Sequence, residues 1–542
     1  MIDYIFLLSI YSAISLPLSD DKFLKFLVEG YLTVMPSKMT KQHHDRLYRR
    51  AQSLYREADK LKSQTAHLDI LGDNLRALIP EIDDVIFDPI VVDTLTSLLG
   101  ENYVLHPHHY LHKSGTTDQG FHQDGNLPWN ERGHYRSHRP DWALLFYYPQ
   151  AVDSTNGATE VVASSQYWTK DFEKGADWYP DDSMDRTFDG GEDNLEYRDQ
   201  QIQQGLSSIG IPDLERRFIY LPQGKVLIGS YDLIHRGSRS LPDSEDRFMY
   251  KFYFLRTTEP QISSTQDAQI PTFSCGRKEI YPVAKETWKW SKGFKIDDDI
   301  PDSSVLSIQL MGEQEHKRIE AAYLLGSSRS DISTDILVEG LYSRSEGTRR
   351  ASGYGLRIKG ALVTDLLVEA LQSKQVEIQR VAAFALGTIA SASSRDVLRT
   401  LTSFLESDQD DLLRSNAAYS LGQIARAPEC DVQYLANILI NRLEGGVEKN
   451  NTSSANFPRS TVRESVAYAL LQLLANHQLD QSVFLRVVAL SVNDNDRYVS
   501  GLLLEALGIS SKIEPVSAAL VAGLIKQRRI IGTSLGSNNS LL

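Results

Sequence analysis

A short motif returns again and again through the C-terminal half of this chain. "AAYLLG" from Ala321 is followed by "ASGYGL" from Ala351, "AAFALG" from Ala382, "AAYSLG" from Ala417, "VAYALL" from Val466 and "LLEALG" from Leu503. Spacings run from about 30 to 37 residues, with one longer interval that holds the polar insert "GGVEKNNTSSANFPRS". Most copies are small-residue helices introduced by charged residues ("HKRIE", "VEIQR", "DDLLRS", "STVRES"), and several are followed by a second apolar helix. A helix pair of this kind cannot bury its apolar face alone, so successive copies must stack into a solenoid.

The N-terminal half reads differently. From Asp21 it gives helix, short strand and helix, in "DKFLKFLVEG", "YLTVMP" and "KQHHDRLYRRAQSLYREADKL". Beyond Asn102 come short β-branched and aromatic runs separated by Gly, Pro, Asn and Asp: "YVLHPHHYLHK", "DWALLFYYPQAV", "TEVVASSQYW", "FIYLPQGKVLIGSYDLIHRG" and "RFMYKFYFLRT". These predict an antiparallel sandwich or barrel. The polar stretch from Thr169 to Arg217 is too long for a hairpin loop and reads as a lid or insert. The expected organisation is an N-terminal extension over 1–20, a β-domain over 21–300, the solenoid over 301–530 and a tail over 531–542. The acidic segment "GFKIDDDIPDSSV", Gly293 to Val305, is the expected linker. At 542 residues the chain is too long for one core.

Charge and cysteine content narrow the function. A net charge of −14 offers no dense basic field, so neither nucleic acid nor a membrane surface is an expected partner. Only Cys275 and Cys430 are present, which excludes a disulfide framework and a cysteine zinc site and fits a reducing, cytoplasmic compartment. The apolar opening "MIDYIFLLSIYSAISLPLS" has Asp3 as its sole charged side chain and lacks the basic start of a signal peptide. The segment reads as a cleaved signal, a buried first helix or an extension from an upstream start codon.

The chemistry concentrates in "GFHQDGNLPW". On a strand, His122 and Asp124 project from the same face and can reach one ion. His235, in "GSYDLIHRGSRS", supplies a third ligand from a distant strand. Two histidines and one carboxylate leave three positions of an octahedral iron open, the arrangement of non-haem Fe(II) oxygenases. Arg247 opens the strand "RFMYKFYFL" and is placed to clamp the distal carboxylate of 2-oxoglutarate, in preference to Arg239 and Arg236 in the intervening turn. His106, His108, His109 and His112 read as ordinary strand residues, although one of them, or Lys113, can face the cosubstrate. His134 and His138 read as solvated. Trp129, Tyr148 and Trp168 read as core or rim aromatics, and Asp232 as a stabiliser of the turn before His235.

In order, "FLVEGYLTV", "FHQDGNLPW", "LLFYYPQAVDSTNGATEVVASSQYW", "GSYDLIHRGS" and Arg247 resemble the phytanoyl-CoA dioxygenase family, over Lys22 to Thr257. That resemblance implies an α+β fold with a double-stranded β-helix (jelly-roll, cupin-like) core and His122, Asp124 and His235 as iron ligands. It further implies consumption of 2-oxoglutarate and O2, release of succinate and CO2, and hydroxylation of an aliphatic C–H. Asp124 speaks against halogenation, since related halogenases lack this carboxylate. The chain departs from the pattern in a slightly longer spacing from His235 to Arg247 and in "SSQ", Ser164 to Gln166, where the family has "GSH". The C-terminal repeats resemble HEAT repeats, over Ser307 to Leu520. Three functions follow as expectations: a hydroxylase of a small molecule (natural product, amino acid or acyl derivative) that the solenoid stabilises or dimerises; an oxygenase whose protein or carrier-bound substrate is recruited by the solenoid; and an inactive binding protein.

Overall fold

The computed structural model describes residues 18–61, 69–73, 75–124, 136–171, 173, 189–207, 209–211, 214–261, 276–294, 302–389, 395–407, 410–445, 461–494 and 496–510. Trp129, His134, Cys275, residues 1–17 and the 531–542 tail lie outside them, as does most of the Gly293–Val305 segment. Among the described residues no helix is long and apolar enough to cross a membrane.

Helix Asp20–Glu29 starts at Ser19, whose hydroxyl accepts from the Lys22 N–H, and stops at Gly30, whose φ of 86° lies in the left-handed region. The chain turns there into β1 (Tyr31–Val34). Seven more strands follow: β2 (Val104–Lys113), β3 (Trp142–Tyr147), β4 (Thr159–Val162), β5 (Arg216–Phe218), β6 (Val226–Ser230), β7 (His235–Gly237) and β8 (Phe248–Leu255). They form two sheets with antiparallel neighbours throughout, a five-stranded one ordered β1-β6-β3-β8-β2 and a three-stranded one ordered β5-β4-β7.

The central strands β3 and β8 are buried at every position, which is why they read as apolar runs and not as an alternation. Their outer faces lie under helix Lys41–Leu61, where the Tyr250 hydroxyl donates to the Leu47 carbonyl at 2.8 Å and the Tyr147 hydroxyl bonds Nδ1 of His44 at 2.8 Å. Their inner faces look onto the small sheet: the Phe146 ring is 5.5 Å from that of His235, and the hydroxyls of Tyr148 and Thr159 are 2.7 Å apart.

Among the described residues six helix pairs follow. The second members, Glu315–Ser327, Glu346–Lys359, Val376–Thr388, Asp411–Ile424, Thr461–Asn476 and Arg497–Ser510, carry the repeated motif and stack side by side in one row. Small motif residues make the close stack possible. A Cβ on Gly326 would stand 2.7 Å from the Gly355 carbonyl oxygen, and one on Gly387 would stand 2.6 Å from the Ser420 Cα. The charged stretches ahead of the motifs are the first turns of these same helices.

This motif-bearing row faces the β-domain. Fully buried Arg426 donates to Asp141 at 3.1 Å, Glu259 at 2.9 Å and the Arg256 carbonyl at 3.0 Å. The Trp142 and Tyr468 rings stack at 6.0 Å. His138, expected in solvent, is buried between Tyr323 and Tyr354, its ring 4.0 Å from the latter. The two halves therefore bury charged and aromatic side chains in each other, which is not the relation of independent units on a linker.

Candidate metal centre

His122 and His235 exchange backbone hydrogen bonds, each N–H donating to the other's carbonyl at 3.0 Å. Residues paired in this way project side by side, and the two rings are 4.6 Å apart. Two residues on, Asp124 projects to the same side. Its Oδ1 is 3.9 Å from Nε2 of His122, its Oδ2 is 3.9 Å from Nε2 of His235, and one ligand atom from each residue lies within 4.8 Å of the others. Each histidine turns Nδ1 to the carbonyl two residues before it, Gly120 at 3.0 Å and Leu233 at 2.9 Å, which leaves both Nε2 atoms facing the carboxylate.

Electrostatics put these groups in ligand-ready states. Burial depresses the His235 imidazole to about 3 despite the pull of Asp124, so its Nε2 lone pair is available. Burial raises the Asp124 carboxyl, but Lys251 and the two histidines outweigh it and hold the group ionised. Asp124 accepts from Nζ of Lys251 at 2.9 Å and from the Tyr253 hydroxyl at 3.0 Å. The His122 side chain is 27% exposed against 4% for Asp124 and 6% for His235, so the centre opens on the His122 side. Three hard or borderline donors with an open side fit a divalent first-row metal.

The backbone around the ligands is fixed by side chains that face away from them. Gln123 donates to the carbonyls of Trp168 at 2.9 Å and Asp232 at 2.8 Å. Arg136 bridges the Asp124 carbonyl at 3.1 Å and the Asp232 carboxylate at 2.9 Å, so Asp232 does secure the turn before His235.

The three arginines separate sharply. Arg236 is paired with Glu160 at 2.6 Å, and Arg239 with Asp118 at 2.8 Å and the carbonyls of Gly190 and Glu192. Arg247 is buried between the sheets, its Nε donates to the Gly157 carbonyl at 2.8 Å, and no described carboxylate pairs with it. Burial without a counter-ion pulls its guanidinium below the usual range, beside the tyrosines Tyr148 and Tyr55. A buried cation without an anion marks a place for one.

Lys113 does not share this interior. It is partly exposed on the opposite face of β2 and pairs with Asp246 at 2.8 Å. The inward neighbour is His112, cross-strand from Met249, whose imidazole is held neutral by burial and by the cations Lys251 and Arg247. Tyr148 and Trp168 are fully buried core aromatics. Lys251 and Tyr253 were missed by sequence reasoning, although they stand four and six residues beyond Arg247 on one strand, where period two predicts a shared face.

A search of the curated proteins finds no match to this sequence. Among solved structures, the chain is similar to a non-heme monooxygenase, the ThoJ–nickel complex, at 12% identity, covering 50% of this chain and 95% of that one with a TM-score of 0.29. It is similar to EctD from S. alaskensis with bound Fe at 13% identity, covering 44% and 78% with a TM-score of 0.31. It is also similar to HygX from Streptomyces hygroscopicus with nickel and 2-oxoglutarate bound, at 16% identity, covering 46% and 93% with a TM-score of 0.29. The family model for HEAT repeats matches residues 364–444, within the row of stacked helix pairs.

Proposed function

We propose that this protein is a non-haem Fe(II)- and 2-oxoglutarate-dependent dioxygenase that hydroxylates an aliphatic C–H of a small molecule, on a double-stranded β-helix core like that of the phytanoyl-CoA dioxygenase family. The observation that carries the reading is a pairing of two features between the same two sheets. One is the set His122, Asp124 and His235, open to the outside at His122 alone; the other is Arg247, a buried cation with no carboxylate partner among the described residues.

His122, Asp124 and His235 would hold the iron, which with 2-oxoglutarate and O2 supplies the oxidising chemistry that yields succinate, CO2 and a hydroxylated product. Arg247 binds the distal carboxylate of the cosubstrate through its free guanidinium edge. Neutral His112 lines the same interior. Lys251 and Tyr253 fix the Asp124 carboxylate, and the carbonyls of Gly120 and Leu233 fix the imidazole orientations.

A small-molecule substrate is favoured over one recruited by the repeats, because the motif-bearing helices bury their charged and aromatic side chains against the β-domain. A complete ligand set weighs against an inactive scaffold. The test is anaerobic addition of Fe(II) and 2-oxoglutarate to the full chain, which produces a visible charge-transfer band in the wild type and none in His235→Ala. Absence of the band in the wild type refutes the reading.

A further inference from the structure

The strand β2 reads "VLHPHHYLHK", and its pairing with β8 breaks in the middle. Leu105 pairs with Phe254 and His109 with Phe252, so His106, Pro107 and His108 together stand opposite Tyr253. This is a β-bulge, and Pro107, which has no N–H for the ladder, sits where none is needed. Helix Arg497–Ser510 of the last repeat packs onto it. Gly501 permits the approach, since a Cβ there would fall 2.5 Å from that of Pro107.

One turn earlier on the same helix, buried Tyr498 reaches the bulge. Its hydroxyl and Nδ1 of His108 share a hydrogen bond of 2.5 Å, and its ring lies 5.8 Å from that of His106. The helix start holds Tyr498 in place: Asp496 accepts from its N–H at 2.9 Å, and Arg497 donates to its hydroxyl at 2.9 Å. The His108 ring in turn lies 5.5 Å from that of Tyr253, whose hydroxyl donates to Oδ2 of Asp124. On its other side Tyr253 meets Tyr231 at 5.6 Å, and Tyr231 meets Trp142, the partner of Tyr468.

We propose that Tyr498 is a positioning residue for the metal ligand Asp124, so that the last described helical repeat completes the metal centre of the β-domain. The inference rests on the reading of His122, Asp124 and His235 as metal ligands. Tyr253 is fully buried with His108 against one side of its ring and Tyr231 against the other, so the position of its hydroxyl at Oδ2 follows how its ring is packed. His108 supplies the surface that holds it, and Tyr498 fixes His108. A carboxylate that loses its hydrogen-bonding partner reorients, and loss of such outer partners typically lowers metal affinity by about 10–100-fold.

The experiment uses the full chain, stripped of metal, and reads Mn(II) binding from the EPR signal of the free ion. Tyr498→Phe keeps the ring and removes only the hydroxyl; it is expected to weaken Mn(II) binding about tenfold and to shift the ligand-field bands of bound Co(II). His108→Gln, which removes the surface against Tyr253 from the strand side, gives the same loss. Tyr434→Phe, on an outer helix where the hydroxyl meets Thr402 at 3.2 Å, leaves affinity and bands unchanged. Wild-type affinity in either folded variant, Tyr498→Phe or His108→Gln, overturns the proposal. Failure of the wild type itself to bind Mn(II) overturns both the proposal and the reading beneath it.

Discussion

Nζ of Lys251 lies 2.9 Å from Oδ1 of Asp124, and the two side chains are only 7% and 4% exposed. A lysine thus occupies the charge partnership that a bound metal must share. In the metal-free protein the pair neutralises itself, and removal of one member of such a pair costs about 3–5 kcal/mol. Lys251→Met is therefore expected to lower the melting temperature of the metal-free protein. Saturating Mn(II) should then raise it by more than in the wild type, because the dication no longer binds beside an ammonium while the Tyr253 hydroxyl still holds the carboxylate through Oδ2. Calorimetry with and without Mn(II) checks this, and equal shifts would show that Lys251 does not oppose the metal.

The three ligands are expected to be equivalent for activity and unequal for stability. His122→Ala, Asp124→Ala and His235→Ala each abolish succinate formation. Asp124→Ala leaves Lys251 buried and unpaired and should lose about 3–5 kcal/mol. His122→Ala, at the open side of the centre, should melt close to wild type. Urea unfolding of the metal-free variants separates the two cases.

Arg247→Ala should raise the 2-oxoglutarate concentration needed for the charge-transfer band, by an amount on the order of 2–5 kcal/mol for a buried carboxylate deprived of its partner. Arg239→Ala should leave that concentration unchanged and destabilise the protein, since its guanidinium ties Asp118 to the loop at Gly190 and Glu192. A reversed outcome would exchange the roles of the two arginines.

Acid should weaken the interface at His138. Its imidazole is pushed well below its ordinary value by burial and by the guanidinium groups of Arg357 and Arg350. The unfolded chain takes up a proton near pH 6.5 while the folded one does not, so stability falls as the pH drops below that value, by up to about 1.4 kcal/mol per unit. His138→Phe should flatten this part of the stability profile. An unchanged slope between pH 6.5 and 5 would assign the acid sensitivity elsewhere.

A chain ending near Asp302 should not behave as a smaller oxygenase. It would uncover Trp142 and His138 and strip Asp141 and Glu259 of Arg426. Aggregation in size-exclusion chromatography is the expected result. In the full chain, calorimetry should show one transition, and Arg426→Ala should lower it by about 3–5 kcal/mol, because two acidic groups lose their shared cation. Two separate transitions would mean that the halves fold independently.

The repeats were legible in the sequence because stacking demands small residues at fixed spacing, and Ala321, Ala351, Ala382 and Ala417 record that demand locally. The pairing of His122 with Asp124 was legible for a similar reason, since period two on a strand needs no knowledge of the rest of the chain. Arg247 was favoured over Arg236 and Arg239 because it opens a strand, but the carboxylate partners of the other two were not legible, since Glu160 and Asp118 are remote in sequence. The inward turn of His112 in place of Lys113 was hidden by the bulge at Pro107, which breaks the alternation along β2. Which segments repeat, which alternate and which donors lie on one strand are thus written locally in the chain, all set by short-range geometry. That Lys251 shares Asp124 with the candidate metal site and that Tyr498 reaches His108 follow from the folded chain alone, because both depend on contacts between segments more than a hundred residues apart.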